Sequence, residues 1–195
     1  EYGLGKVIAL SGNGAKRSST VAFASAAGQK KFMLVQSQLQ PAGYGLVGPI
    51  IQAQVGDTII VHFKNFDPNN PHSMHFHGVH YDVDSDGSYI PNISGPGADV
   101  KPGQTFTYKL FAGKDSVGIW PYHDHSPSMD QSIAGGLYGA LSIREPGTPL
   151  PDHEFVVYFE SQLGFNTIDG RAFVGNTPVF HAKVGDLVQW DVLAL

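Results

Sequence analysis

Four of the nine histidines fall in two His-x-His pairs, His75-Phe76-His77 and His123-Asp124-His125. On an extended strand, residues i and i+2 point to the same face, so each pair offers two imidazoles to one side. Neutral imidazole is a ligand for copper, zinc, iron and nickel. Two such strands side by side would present four ring nitrogens to one volume, which is the chemistry of a metal site. A single pair is often no more than a solvated strand face. Two pairs in one small chain, with aromatic neighbours at Phe76 and Trp120-Pro121-Tyr122, favour ligation. Gly78, directly after the first pair, fits a close backbone approach or a bulge. Pro121 and Pro127 bracket the second pair and confine it to a short or edge strand. The other histidines look ordinary. His62 alternates onto an outer strand face, His72 lies in an Asn/Pro loop, and His80 has the opposite parity to His75 and His77. His153 and His181 stand alone further along. Asp124 has two open readings: a group that hydrogen-bonds behind the imidazoles, or a solvent-facing strand residue.

The elements that must carry these pairs are strands. The chain has 24 glycines and 13 prolines among 195 residues, and only 15 % charged residues. That balance disfavours a helical bundle and fits short strands joined by many turns. Strand patterns fall at Phe32 to Gln38, Ile50 to Val55, Thr58 to Phe63, Ser73 to Tyr81, Thr105 to Phe111, Gly118 to His125 and Leu137 to Ile143. Thr105 to Phe111 alternates as a half-buried strand should. The first 30 residues read as weak strands and an exposed turn. Strands at roughly 10–15-residue spacing, without a helical period, predict an antiparallel sandwich or barrel. Glu145 to Pro151 reads as a linker. Beyond it, Pro178 to Trp190 repeats Pro49 to Val61, sharing the proline, an alanine (Ala53, Ala182) and the Val-Gly-Asp run (Val55 to Asp57, Val184 to Asp186). The repeat predicts a first domain over 1–148 and the beginning of a second copy over 149–195, incomplete at Leu195.

Several functions are excluded at this stage. The absence of cysteine rules out a disulfide scaffold, a zinc-thiolate site, a thiol nucleophile and a thiolate-bound blue copper. A net charge of −5 argues against a phosphate-tracking nucleic-acid binder. No apolar run approaches the ~18 residues of a membrane span.

Taken in order, Gly48-Pro49-Ile50 with Val55-Gly56-Asp57, His75-Phe76-His77-Gly78, Trp120 to His125, and Gly136 to Leu141 resemble the first cupredoxin domain of a multicopper oxidase of the bacterial two-domain small-laccase type. The resemblance covers roughly residues 45 to 195. It implies an all-β, Greek-key cupredoxin-like sandwich followed by the start of a second. It also implies that His75 is a type-2 copper ligand, and that His77, His123 and His125 are type-3 ligands. They would form half of a trinuclear cluster completed by a second domain, from a neighbouring subunit of a homotrimer in that family. Tyr81 and Asp86 match a tyrosine and an acidic residue near the cluster, the latter linked to proton delivery. The implied activity is oxidation of phenols or aromatic amines with reduction of dioxygen to water, outside the cytoplasm (extracellular or periplasmic). Asp124 stands where a blue-copper domain has cysteine, so this domain is expected to hold no blue copper. The isolated chain is then expected to be inactive. Two other readings remain: a non-catalytic copper-binding or assembly module, and a cupin-type mononuclear metal enzyme, although Tyr81 to Asp86 lacks the glutamate a cupin needs. A copper nitrite reductase would need the missing cysteine.

Overall fold

The computed structural model describes residues 8–10, 21–24, 30–33 and 47–195, except 174 and 176. Twelve strands, one short α-helix and two single-turn 3-10 helices (Pro96–Ala98 and Lys114–Ser116) are present among them. The strands and the α-helix are β1 (Ile8–Leu10), β2 (Val21–Ala24), β3 (Lys30–Met33), β4 (Ile51–Gln54), β5 (Thr58–Asn65), β6 (His75–Phe76), β7 (Thr105–Phe111), β8 (Gly118–His123), α1 (Met129–Ala134), β9 (Tyr138–Arg144), β10 (His153–Gln162), β11 (Phe165–Ile168) and β12 (Val188–Ala194). Residues 34 to 38 of the first expected strand pattern lie outside the described residues.

Two sheets form a sandwich. In one, β7 runs antiparallel along one edge of β5, while β2 (antiparallel) and β1 (parallel) share the other, and β3 follows β2. The second has the order β4-β9-β8-β6, with β4 and β9 parallel and the rest antiparallel. Along β5, Ile59, Val61 and Phe63 are buried while Thr58, Ile60 and His62 are partly exposed, the period-2 alternation of a half-buried strand. These side chains meet Ile51, Phe76, Tyr108, Leu110, Tyr122, Leu141 and Ile143 from the facing strands to make the core. The Tyr122 hydroxyl donates to the Pro49 carbonyl at 2.7 Å, so its buried polar end is satisfied.

A three-stranded sheet, β11-β10-β12, packs on the outer side of β9. Ile133, Tyr138 and Ala140 meet Val156, Tyr158 and Leu193 there in a second apolar cluster. At the same seam Arg144 pairs with Glu154. Glu154 also accepts from Gln52 Nε2 at 2.8 Å and from Ser142 Oγ at 3.2 Å. Within the Glu145 to Pro151 stretch, Glu145 to Leu150 is exposed.

The sequence repeat is reproduced in turn geometry. Gly56 and Gly185 both take positive φ, 93° and 101°. Asp57 Oδ2 accepts from Gln54 N at 2.9 Å, and Asp186 Oδ2 from Lys183 N at 2.6 Å. The strand that follows each turn, β5 or β12, has a parallel neighbour, β1 or β10.

Two expectations need correction. The strand expected over Ser73 to Tyr81 is only His75–Phe76. Gly78 turns the chain at φ 71°, and His80 leaves to pair with Phe111 of β7. The stretch after His125, read without any element, contains α1. That helix has only six residues, too few to show a 3.6-residue period.

Candidate metal centre

The two His-x-His pairs are direct neighbours because β6 and β8 pair antiparallel, with His75 opposite His123 and Phe76 opposite Tyr122. Phe76 and Tyr122 are fully buried and their rings lie 5.6 Å apart. They anchor the inner face of the two strands. The intervening positions therefore put the histidines on the other face, where all four are partly buried.

The four rings converge. Centroids of His75 lie 4.7 Å from His77, 5.5 Å from His123 and 5.3 Å from His125. The two chain partners His123 and His125 stack at 5.6 Å. His77 Nε2 and His123 Nε2 approach to 3.0 Å. With nitrogen–metal bonds of about 2 Å, two nitrogens at that separation subtend nearly a right angle at a shared ion. Among the described residues, no three His, Cys, Asp or Glu donors are gathered as a complete metal shell. The arrangement is a wall of imidazoles with one two-nitrogen seat.

Hydrogen bonds settle which nitrogens face that wall. A carbonyl oxygen can only accept, so a ring nitrogen beside one carries the proton. His75 Nδ1 donates to the Asp86 carbonyl at 2.7 Å, with Ser88 Oγ at 2.9 Å. His123 Nδ1 donates to the Asp124 carbonyl at 2.9 Å. In both rings Nε2 is left with its lone pair. Burial, then the neighbouring imidazoles of His75, His123 and His125, push His77 down to about 4. Burial also pushes His123 down, against the hydrogen bond to Asp124. Both rings are therefore neutral near pH 7, the form a metal requires. The donor set fits copper: imidazole nitrogens, neutral, with no thiolate.

Tyr81 and Asp86 lie beside His75. The Tyr81 ring is 6.1 Å from that of His75, and Asp86 Oδ1 is 3.3 Å from His75 Nδ1. Burial, then the charge of Asp86 and a hydrogen bond to it, raise the Tyr81 hydroxyl above its ordinary value. Tyr81 thus keeps its proton, and its hydroxyl donates a hydrogen bond to Asp86. The structure brings all six singled-out residues together.

His72 is the residue that the spacing argument passed over. It is buried, with Nδ1 3.0 Å from Asp124 Oδ2 and Nε2 3.2 Å from Asp67 Oδ2. Of the two readings of Asp124, the buried one holds: it has no exposed surface. His62 is on the outer strand face, hydrogen-bonded to Thr107, and His80 is exposed and paired with Asp115. His153 pairs with Asp186 at the second-copy turn.

Comparison with known proteins gives a consistent picture. The chain is 35 % identical over 140 residues to the human protein named Ferroxidase HEPHL1, covering 62 % of this chain and 12 % of that protein. It therefore spans about an eighth of the length of that relative. A crystal structure of a multicopper oxidase superposes with a TM-score of 0.60 at 31 % identity, over 77 % of this chain and 53 % of that one. A copper nitrite reductase from Nitrosomonas europaea superposes with a TM-score of 0.62 over 96 % of this chain and 66 % of that one. Its 23 % identity speaks for the cupredoxin-like fold alone. The multicopper oxidase family model matches residues 27–148, which hold the whole imidazole wall, and the chain belongs to that family.

Proposed function

We propose that His75, His77, His123 and His125 supply half of a trinuclear copper cluster in a laccase-like oxidase. His75 would serve the type-2 position and the other three the type-3 positions, with the remaining ligands coming from a second domain or a neighbouring subunit of a homotrimer. The observation that carries this reading is the pairing of β6 with β8. It sets both His-x-His pairs on one face, with the Nε2 atoms of His77 and His123 3.0 Å apart. Copper, when bound, supplies one-electron transfer to dioxygen, and the electrons come from a phenol or aromatic amine.

The chain's own groups hold and orient. Asp86 and Asp124 carbonyls keep Nδ1–H bonds on His75 and His123, so that Nε2 faces the site. Asp86, about one-third exposed, places its carboxylate between solvent and the rings of Tyr81 and His75. The four rings are one wall only, so exclusion of water from the other side falls to the completing domain.

Ferrous iron is the second reading for the electron donor, favoured by the name ferroxidase on a relative 35 % identical. With no cysteine, this chain holds no thiolate copper through which either donor would pass electrons. The isolated chain with copper is therefore expected to show no sustained oxygen uptake with phenol or ferrous iron. Turnover by homogeneous chain in an oxygen-electrode assay would overturn the shared-cluster reading.

Copper uptake tests the site itself. His75→Ala and His123→Ala are expected to abolish uptake measured by metal analysis. Circular dichroism should stay nearly unchanged, because these rings line a face rather than fill the core. Wild-type copper content in both variants would contradict the assignment. In the completed assembly, one copper or fewer per chain would favour a non-catalytic copper-binding module.

A further inference from the structure

Behind the imidazole wall runs a chain of buried polar groups that copper ligation alone does not explain. Asp124, between His123 and His125, accepts at Oδ1 from Ser73 N at 2.7 Å and at Oδ2 from Ser126 Oγ at 2.7 Å. Its Oδ2 also accepts from His72 Nδ1 at 3.0 Å. The other nitrogen of His72 donates to Asp67 Oδ2 at 3.2 Å. Ionised carboxylates only accept, so both His72 nitrogens carry protons. The His72 backbone exchanges two hydrogen bonds with Val100, each 3.1 Å, which fixes where the ring starts. Ser73 Oγ in turn accepts from the His125 N–H at 3.0 Å. The segment just before His75 thus grips the segment carrying His123 and His125 through the Asp124 carboxylate and the Ser73 hydroxyl.

A buried ion triple is an expensive way to stabilise a fold, since well-packed apolar residues do as well or better. What it adds over packing is direction. Asp124 Oδ1 accepts from Ser73 N and, at 3.4 Å, from the same Ser73 hydroxyl that accepts the His125 N–H, so a swing of the carboxylate would disturb the Ser73 bridge between the two His pairs. We propose that His72 is a positioning residue for copper capture: its Nδ1–H locks the Asp124 carboxylate and, through it, sets the spacing of the second His pair against the first. This rests on the copper reading above.

Two substitutions separate positioning from mere support. An asparagine amide nitrogen falls close to the place of His Nδ1, and a glutamine amide nitrogen close to that of Nε2. His72→Asn keeps the donor to Asp124 and loses the one to Asp67; His72→Gln does the reverse. Copper affinity of the folded chain, by chelator competition, and the copper(II) electron paramagnetic resonance spectrum are read beside thermal melting. His72→Asn is expected to bind within about 3-fold of wild type with the same spectrum. His72→Gln is expected to bind about 10–100-fold more weakly, the usual effect of removing a group that orients a ligand. Equal affinities in the two variants, beside a wild-type chain that does bind, overturn the positioning role and leave the copper site standing. A wild-type chain that takes up no copper overturns the copper reading and this role with it. Should His72→Gln not melt cooperatively, Asp124→Asn carries the same test, because its amide turns an N–H toward the His72 donor. Unchanged affinity in folded Asp124→Asn overturns the role.

Discussion

His77 shows how much of the site's behaviour is decided one side chain at a time. Burial and three neighbouring imidazoles hold it at about 4, against about 6.5 in an unfolded chain. Between those values the unfolded chain binds a proton that the folded chain refuses. The contribution of this group to metal-free stability is therefore intact above pH ~6.5 and lost as pH falls toward 4. Melting of the metal-free chain between pH 7 and 4 is expected to drop less steeply in His77→Gln than in wild type; parallel curves would contradict the neutral-imidazole assignment. At this scale the four ligand candidates were legible, because period-2 spacing alone puts both members of a pair on one face. His72 was not. Its burial depends on a bridge to Val100 and on a carboxylate 52 positions along the chain, and neither leaves a local pattern.

Strand by strand, the pairs are useful only because β6 and β8 are in register. Gly78 sets where β6 must end. Its φ is 71°, and a Cβ there would lie inside the Trp120 ring. Gly78→Ala combines a left-handed backbone with overpacking, and is expected to cost about 2–4 kcal/mol by denaturant titration. Copper affinity should weaken in parallel, because His77 is the adjacent residue. A loss under about 0.5 kcal/mol, the range of ordinary surface changes, would mean that the close approach to Trp120 is not real. The close backbone approach at Gly78 could be read from composition, since glycine after a strand signals one. The length of β6 could not. Alternation continues through His80 on paper, while the chain itself turns away to pair with β7.

For the molecule as a whole, a polar knot of Arg144 and Glu154 helps tie the three-stranded sheet to the sandwich beside their apolar cluster. Burial, then a hydrogen bond to Asp191, push the Glu154 carboxyl up, against the pull of Arg144. Glu154→Ala would leave Arg144 largely buried without its carboxylate, and is expected to cost about 3 kcal/mol by equilibrium unfolding. A change within 0.5 kcal/mol, as for an exposed pair, would show that water reaches the seam. The matching turn bonds at Asp57 and Asp186 support the proposal that 149–195 begins a second cupredoxin-like copy. By itself the sequence determined the all-β architecture, the four candidate ligands, the absence of a thiolate copper and the repeat, since each follows from residue type and short-range periodicity. Only the tertiary structure decided that the two pairs face each other, that Asp124 points inward and that His72 holds it. Those facts depend on which distant strands pair and on which polar groups are left without water, and neither is set by neighbours in the chain.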